Sequence, residues 1–547
     1  MSVLDFINFI TLQMGEKKKW VVIAGVVNGL CMSALMYSLQ VGLKGTAETG
    51  AISMRGFVLF LCSLAVFYIT YLFAVRTSSG AAYTAVEGLE LRLIDKLRRI
   101  DYPAFKTISP ADIYAAVGGD KNSVISASRN FTTAFSSAIT IVIAVIYMAS
   151  LSMVAVGLIV LECALLVFLH RIKSTALSRR FEDDSRLASA FMGSLEDMVN
   201  GFAEIKMNNV KSEDFYNRKV KPASRNKTEG FKQTEIFWVQ ILVISHASLF
   251  LPLGIIVFIV PAVSSGVNAQ SLVEILAITL MIIGPTGLLA GFITSVDLAG
   301  NTLLKIFNIE KRLDEAAIEY GVVPEEDLSV PPETPDFSTL KVDQLKYAYP
   351  GAGNNFTLTV RNFHLNKGEL LVIKGGNGSG KSTFIRLLAG LLLPLEGEIL
   401  VDGQKASLLK GSDYRSLFSI VLSDFHLFDD FYGFQADKKE LHYWADKLNL
   451  QEQMRHYDGQ NKLPTAALSS GQRKRMALLS LILEHKKVLL LDEVAADFDP
   501  EFRTKYYREI IPELKAAGRT LLLVSHDDRY FDIADRVIEF HEGTNLE

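Results

Sequence analysis

Leu370-Leu371-Val372-Ile373-Lys374-Gly375-Gly376-Asn377-Gly378-Ser379-Gly380-Lys381-Ser382-Thr383-Phe384-Ile385-Arg386-Leu387-Leu388 decides the fold of the second half of the chain. Leu370–Ile373 is a buried-strand run, Thr383–Leu388 has a helical pattern, and Gly375–Ser382 between them matches G-x-x-x-x-G-K-[ST] in its strand-loop-helix setting. Glycines let backbone N–H groups curl around a polyphosphate where Cβ atoms would obstruct, and the helix N-terminus adds positive potential. Lys381 is placed to meet the β- and γ-phosphates as a point charge, and Ser382 to ligate Mg²⁺. A plain Gly-rich turn is the competing reading, and chance would produce the pattern in a chain this long with a probability of roughly a few per cent.

Three further stretches bear on that choice. Val488-Leu489-Leu490-Leu491-Asp492-Glu493 is an apolar strand ending in two carboxylates, and ligands gather at the carboxyl ends of parallel strands. Asp492 is positioned to hold Mg²⁺ through water and Glu493 to polarise the attacking water, although such a pair taken alone is more often a helix cap. Leu521–Ser525 delivers His526, which either contacts a γ-phosphate or is structural, as a lone His at a strand end usually is. Leu468-Ser469-Ser470-Gly471-Gln472 opens a long helical pattern and offers free N–H groups to a second phosphate, or merely caps its helix.

Composition separates the first three hundred residues from the rest. The 547 residues are 49% hydrophobic and 21% charged, with 56 Lys+Arg against 60 Asp+Glu. Mean hydropathy is +0.25. These values exclude disorder and point to a membrane protein, and a net charge of −4 leaves no nucleic-acid footprint. Cys31, Cys62 and Cys163 lie in apolar runs, so no disulfide or zinc framework is implied. Uncharged stretches predict six spans, at about 20–43, 56–75, 131–149, 152–170, 237–261 and 271–296. From Asn130 to His170 a continuous helix would reach about 60 Å, twice the hydrocarbon core, so Ala149–Ser152 must turn it. Eight Lys/Arg in 76–129 and thirteen in 171–235 place both segments and the N-terminus in the cytoplasm. A cleaved signal peptide would need a shorter apolar run.

The two basic segments read as helices continuing out of the membrane, turning near Gly118-Gly119-Asp120 and around Asn200-Gly201 and Asn208-Asn209. Either the turns contact another cytoplasmic domain or they end solvated hairpins. Four prolines with acids over 322–336 predict an extended, exposed linker. Glu162 near the middle of span four meets a cationic group on a cargo, or is a protonated or hydrogen-bonded helix contact. His246, Thr132, Thr133, Ser136, Ser137 and Thr140 are polar enough to line a pathway, but Ser/Thr in such helices more often serve packing.

Phosphate loop, LSSGQ, strand plus Asp-Glu and late His occur in the order of the ATP-binding cassette family, and six upstream spans resemble its exporter-type half transporter. The resemblance implies an all-α six-helix transmembrane domain, residues 1–321, a linker, 322–336, and a cytoplasmic α/β P-loop ATPase domain, 337–547. It implies ATP and Mg²⁺ as cofactors, with Ser382 and Asp492 as metal ligands. Gly375, Gly376, Asn377, Gly378, Ser379, Gly380, Lys381, Ser382, Thr383 and Asp492 would bind nucleotide. Tyr349 would stack on adenine, with Tyr347 second. Glu493 and His526 would be catalytic. Leu468, Ser469, Ser470, Gly471 and Gln472 would face the ATP of a partner, Asp499 would be the D-loop residue linking the two sites, and one cassette with six spans implies a homodimer.

Three departures from the family stand out. The Q-loop glutamine falls at Ser423, with Asp424 alongside, either of which could replace it at the metal. Lys462–Ala467 lacks the acidic loop that usually precedes the signature, and the D-loop reads Ala-Asp-Phe-Asp rather than Ser-Ala-Leu-Asp. With GGNGSGKS, DEVAADFDP and SHDDRYF, these features resemble the branch that exports cyclic or non-ribosomal peptides and peptide-siderophore precursors of the pyoverdine and syringomycin type. The expected protein is an exporter of peptide-like cargo in the bacterial cytoplasmic (inner) membrane. A lipid or multidrug exporter shares every motif, and a soluble cassette ATPase acting on DNA or translation is the alternative of another class. A periplasmic partner is left open.

Overall fold

The computed structural model describes residues 3–49, 53–108, 110–118, 121–248, 250–259, 269–319, 332–349, 356–408, 411–455, 457, 462–463, 465 and 468–546. The chain divides into two compact units: residues 1–98 with 108–315, and residues 99–107 with 316–547.

The first unit is helical. Among the described residues, four of its helices are long and apolar enough to cross a membrane, Lys17–Gly42, Met54–Arg99, Asn122–Ala149 and Leu272–Ala316, and expected spans one, two, three and six fall on them. Spans four and five fall on the helices Met153–Asn200, Lys221–Ser248 and Leu251–Phe258. The turn expected between spans five and six, residues 260–268, lies outside the described residues. Along Met54–Arg99 the side chains of Phe57, Val58, Leu61, Leu64, Tyr68, Ile69 and Leu72 are exposed, whereas the small Gly56, Ser63, Ala74, Ser78 and Ala82 are buried. A continuous apolar surface of that extent needs lipid around it, and the small residues are what let helices approach inside it.

Helix contact in this unit depends on such residues. A Cβ on Gly25 would stand 2.5 Å from a Phe135 ring carbon, and one on Gly29 would stand 2.8 Å from Ile139 Cβ and 2.9 Å from the Ser136 carbonyl oxygen. Ser136 Oγ donates to the Gly25 carbonyl and Thr140 Oγ1 to the Gly29 carbonyl, each at 3.4 Å. Ser78 and Ser128 exchange hydroxyl-to-carbonyl bonds of 2.7 and 2.9 Å. Of the open readings for span three, Ser136 and Thr140 take the packing role. The N-terminal helix Val3–Met14 buries Phe6, Ile10 and Met14 in one cluster with Val86, Val124, Phe292 and Leu303.

Of the turn expected near Gly118–Asp120, Gly119 and Asp120 lie outside the described residues, and the long helix of the first basic segment already ends before it. The long helix ends at Arg99, and a short helix Tyr102–Lys106 follows. Pro103 has no N–H to continue the Arg99 ladder and is tolerated only in a first turn, which is where it sits. Residues 99–107 group with the second unit: Tyr102 packs on its core and Asp101 pairs with Arg415 at 3.7 Å. Helix Pro110–Val117 comes next, and Gly119 and Asp120 lie outside the described residues. The second segment does turn around Asn200–Asn209. Helix Met153–Asn200 ends at Gly201, and Asn208 Oδ1 caps the next helix by accepting from Lys211 N at 3.0 Å.

The second unit is a ten-stranded sheet with helices: β1 (Thr339–Ala348), β2 (Thr357–Asn366), β3 (Leu370–Gly375), β4 (Glu396–Val401), β5 (Gln404–Lys405), β6 (Phe418–Val421), β7 (Val488–Asp492), β8 (Thr520–Val524), β9 (Arg536–His541) and β10 (Thr544–Leu546). The strand order is β5-β4-β1-β2-β10-β9-β3-β8-β7-β6, parallel from β9 to β6. Because successive strand side chains point to opposite faces, Leu370 and Val372 enter one core with Leu489, Leu491, Leu521 and Leu523, while Leu371 and Ile373 enter the other with Val488, Leu490, Leu522 and Val524. Of the expected linker, residues 332–336 have no regular structure and are largely exposed, and 322–331 lie outside the described residues.

Gly29→Ala should cost about 1–3 kcal/mol by overpacking the helix contact. Gly80→Ala, exposed and with open space around its Cβ, should be neutral or stabilising by up to about 1 kcal/mol. Thermal melting of the detergent-solubilised protein checks this, and equal shifts in the two variants would remove the close helix approach.

Candidate nucleotide site

Parallel pairing brings the chemistry to one edge. Ile373 pairs with Val524, Asp492 with Val524 and Val421 with Leu491, so the loops after β3, β6, β7 and β8 leave the sheet on the same side. Those loops carry Gly375–Ser382, Ser423 with Asp424, Glu493, and His526. Residues about a hundred and fifty positions apart thus converge as they do at the switch points of other open parallel sheets.

The phosphate loop needs its glycines. Gly375, Gly378 and Gly380 have φ of +151°, +78° and +100°. A Cβ on Gly375 would overlap the Phe540 carbonyl oxygen and crowd Ser379 Oγ, and one on Gly380 would stand 2.7 Å from Leu358 Cδ1. The helix Lys381–Leu388 begins directly after the left-handed Gly380. Lys381 is buried and donates from Nζ to the carbonyls of Gly375 and Gly376, both at 2.9 Å. Burial pulls its pKa below the usual lysine value, with Glu493 and Asp492 pulling the other way.

Asp492 is 0% exposed, and neither of its carboxylate oxygens has a partner at full hydrogen-bond geometry. Burial raises its pKa, opposed first by the Ser382 hydroxyl and then raised further by the charge of Glu493; the Ser423 backbone N–H and Arg386 oppose it as well. A buried, underbonded carboxylate beside a hydroxyl fits a divalent cation, which supplies the missing partner. Asp424 is committed elsewhere: its Oδ1 accepts from Arg386 on the phosphate-loop helix at 2.9 Å. Ser423 is exposed and stands near Asp492 through its backbone.

Glu493 follows at φ +52° and ψ +36°, a left-handed conformation that a non-glycine residue adopts only when its surroundings require it. Its N–H donates to the Val524 carbonyl at 3.1 Å, and its Oε1 is 3.0 Å from His526 Nε2. Both side chains are partly exposed, so substrate and water can reach them. The loop behind His526 is braced by residues that no motif reading names: Tyr507 Oη lies 2.6 Å from Ser525 Oγ, and Arg503 reaches Asp527 at 3.5 Å and the Phe498 carbonyl at 3.1 Å. Their signal in the sequence is a helical pattern shared by ordinary surface helices.

The other expected residues sit as follows. Tyr349 is 39% exposed, with Oη 3.2 Å from Thr383 Oγ1, whereas Tyr347 is 6% exposed and packs edge-on against it in the core. The ring of Tyr349 is therefore the one with a free face. Leu468 packs against the core. Ser469 caps helix Ser470–Leu483 in a capping box: Gln472 N donates to Ser469 Oγ at 3.3 Å and Ser469 N to Gln472 Oε1 at 2.9 Å. A Cβ on Gly471 would stand 3.1 Å from the Asp497 carbonyl, so signature and D-loop touch within one chain. Asp499 caps the helix Pro500–Lys505 and pairs with Arg475 at 2.7 Å. Glu162 is 7% exposed, and its Oε1 has no partner among the described residues. His246 lies on helix Lys221–Ser248, and its side chain is outside the described residues, as is that of Cys163. Pro464, Ala466 and Ala467, before the signature, are outside them too.

Removing the buried ammonium with Lys381→Ala should weaken ATP affinity by about tenfold or more, measured by nucleotide titration of the purified protein. Because burial raises the Asp492 pKa, its folded-state penalty grows as pH rises through that pKa and vanishes below the usual carboxylate range. In chelator and without nucleotide, Asp492→Asn should therefore stabilise the protein at neutral pH by about 1–3 kcal/mol. The gain should fade as the melting buffer is made more acidic.

An ABC transporter family model matches residues 358–496. The chain is 30% identical over 355 residues to the ATP-binding protein SyrD of Pseudomonas syringae pv. syringae, covering 63% of this chain and 62% of that protein. It is 32% identical over 213 residues to the energy-coupling factor transporter ATP-binding protein EcfA1 of Streptococcus thermophilus, 37% of this chain and 77% of that one. A solved bacterial Atm1-family ABC exporter with ATP bound has the same fold, with a TM-score of 0.79 at 17% identity over 97% of this chain and 95% of the other. Cassette, membrane-length helices and these likenesses together place the chain in the ABC transporter family, with a cassette fold joined to a helical half of the fold seen in that solved structure.

Proposed function

We propose that the chain is half of an ATP-driven exporter that acts as a homodimer in the bacterial cytoplasmic membrane, with residues 337–547 and the N-terminus in the cytoplasm. Its cargo, in this reading, is a cyclic or non-ribosomal peptide or a peptide-siderophore precursor. The observation that carries the exporter reading is the convergence of Lys381, Ser382, Asp492, Glu493 and His526 at one sheet edge, in a chain whose other half exposes an apolar belt. Cargo class is supported by the motif resemblance of GGNGSGKS, DEVAADFDP and SHDDRYF.

The chemistry follows from the geometry. Lys381 and the loop N–H groups hold the polyphosphate of ATP, and the Tyr349 ring packs on its base. Ser382 and Asp492 would hold Mg²⁺, which supplies positive charge to the phosphates when bound. Glu493 accepts a proton from the attacking water, and His526, 3.0 Å from Glu493 Oε1, orients both water and carboxylate. The turn Leu468–Gln472 faces the ATP of the partner subunit. Glu162, buried on the face that places Ala155 and Ile159 against Ile256 and Ile278, is the carboxylate we assign to the cargo route, with His246 as a second polar group.

Glu493→Gln should abolish ATP turnover while nucleotide binding is preserved; turnover like that of the native protein would remove Glu493 from the general-base role. In proteoliposomes of the native protein, a cyclic lipopeptide or peptide siderophore should stimulate the ATPase. Stimulation by lipids or hydrophobic drugs instead would move the protein to the lipid or multidrug class.

A further inference from the structure

Lys474 lies on the signature helix, one turn beyond Gly471, and is 8% exposed. Its Nζ makes two contacts outside that helix. It donates to the backbone carbonyl of Glu493 at 3.2 Å and pairs with Asp497 Oδ2 at 2.9 Å. An ammonium removed from water needs a counter-ion and acceptors, and these two groups supply them. Asp497 is the acidic one of the three positions at which the D-loop departs from the commoner Ser-Ala-Leu-Asp. Its presence is explained by the lysine it faces.

The contact to Glu493 matters more. The left-handed backbone of Glu493 persists only where neighbours hold it. Its N–H is held from the β8 side by the Val524 carbonyl at 3.1 Å, and its carbonyl oxygen accepts from Ala496 N at 3.2 Å and from Lys474. The two peptide groups flanking its Cα are therefore fixed from opposite sides, which sets the direction of the carboxylate beside His526. We infer that Lys474 is a positioning residue for Glu493: the ammonium ties the signature helix to the backbone of the general base, with Asp497 as the counter-ion that keeps it in place. The neighbouring pair, Arg475 with Asp499 at 2.7 Å, ties the same helix to the start of Pro500–Lys505 and does not touch Glu493.

This inference rests on the ATPase reading, and the experiment separates the two. The full-length protein and its variants are purified in nanodiscs and assayed for ATP turnover, ATP affinity and melting. Lys474→Met, similar in volume but uncharged, should lower kcat about tenfold or more while leaving KM for ATP within about twofold. Lys474→Arg, which keeps the charge and the donor, should restore kcat to within about threefold of native. Asp497→Asn should lower kcat less than Lys474→Met, and the double variant should be no slower than Lys474→Met alone, because both act through one contact. A kcat within twofold of native in Lys474→Met overturns the inference, as do multiplicative effects in the double variant. Should Lys474→Met fail to fold, Lys474→Arg and Asp497→Asn decide: a kcat unchanged in Asp497→Asn overturns it. If native protein shows no turnover that Glu493→Gln abolishes, the ATPase reading itself fails; native turnover with an unaffected Lys474→Met sinks only the role of Lys474.

Discussion

Charge held out of water is the constraint on which the cassette depends. Asp492 and Lys381 are both buried at the carboxyl end of the central strands, and neither could be placed there by a surface loop. It takes strands covered on both faces, whose Leu and Val side chains fill two cores, to carry a carboxylate that deep. Underbonded Asp492 oxygens and a lysine folded onto the loop carbonyls are the groups that the proposed cation and phosphate would engage.

The helical half solves the opposite problem. Lipid offers no hydrophobic drive between helices, so contact depends on close approach and on hydroxyl-to-carbonyl bonds. Gly25 and Gly29 admit Phe135 and Ile139, and Ser136 and Thr140 donate to the carbonyls that the glycines leave uncovered. Glu162 differs from Ser136 and Thr140 in being a buried acid whose Oε1 has no partner among the described residues, and that difference supports its assignment to the cargo route.

Local pattern and tertiary arrangement part company at identifiable residues. The glycines of the first cytoplasmic segment read as its turn, while the long helix already ends at Arg99, where Pro103 lacks the donor that would continue the ladder. Asp424 reads as a spare metal ligand in the sequence, and becomes the partner of Arg386 because the phosphate-loop helix passes beside it. The acidic D-loop reads as a departure without a cause until Lys474, twenty-three positions earlier, is found against it.

The two-part organisation, the phosphate loop, the strand-borne acid pair and the signature turn are legible without coordinates. Each is a run of consecutive residues whose periodicity and glycine placement state their own backbone geometry. Which of two tyrosines presents its ring, which hydroxyls pack helices, and which lysine reaches the Glu493 backbone are settled by folding. Those outcomes depend on which side chains meet across elements far apart in the chain, and no local periodicity encodes that.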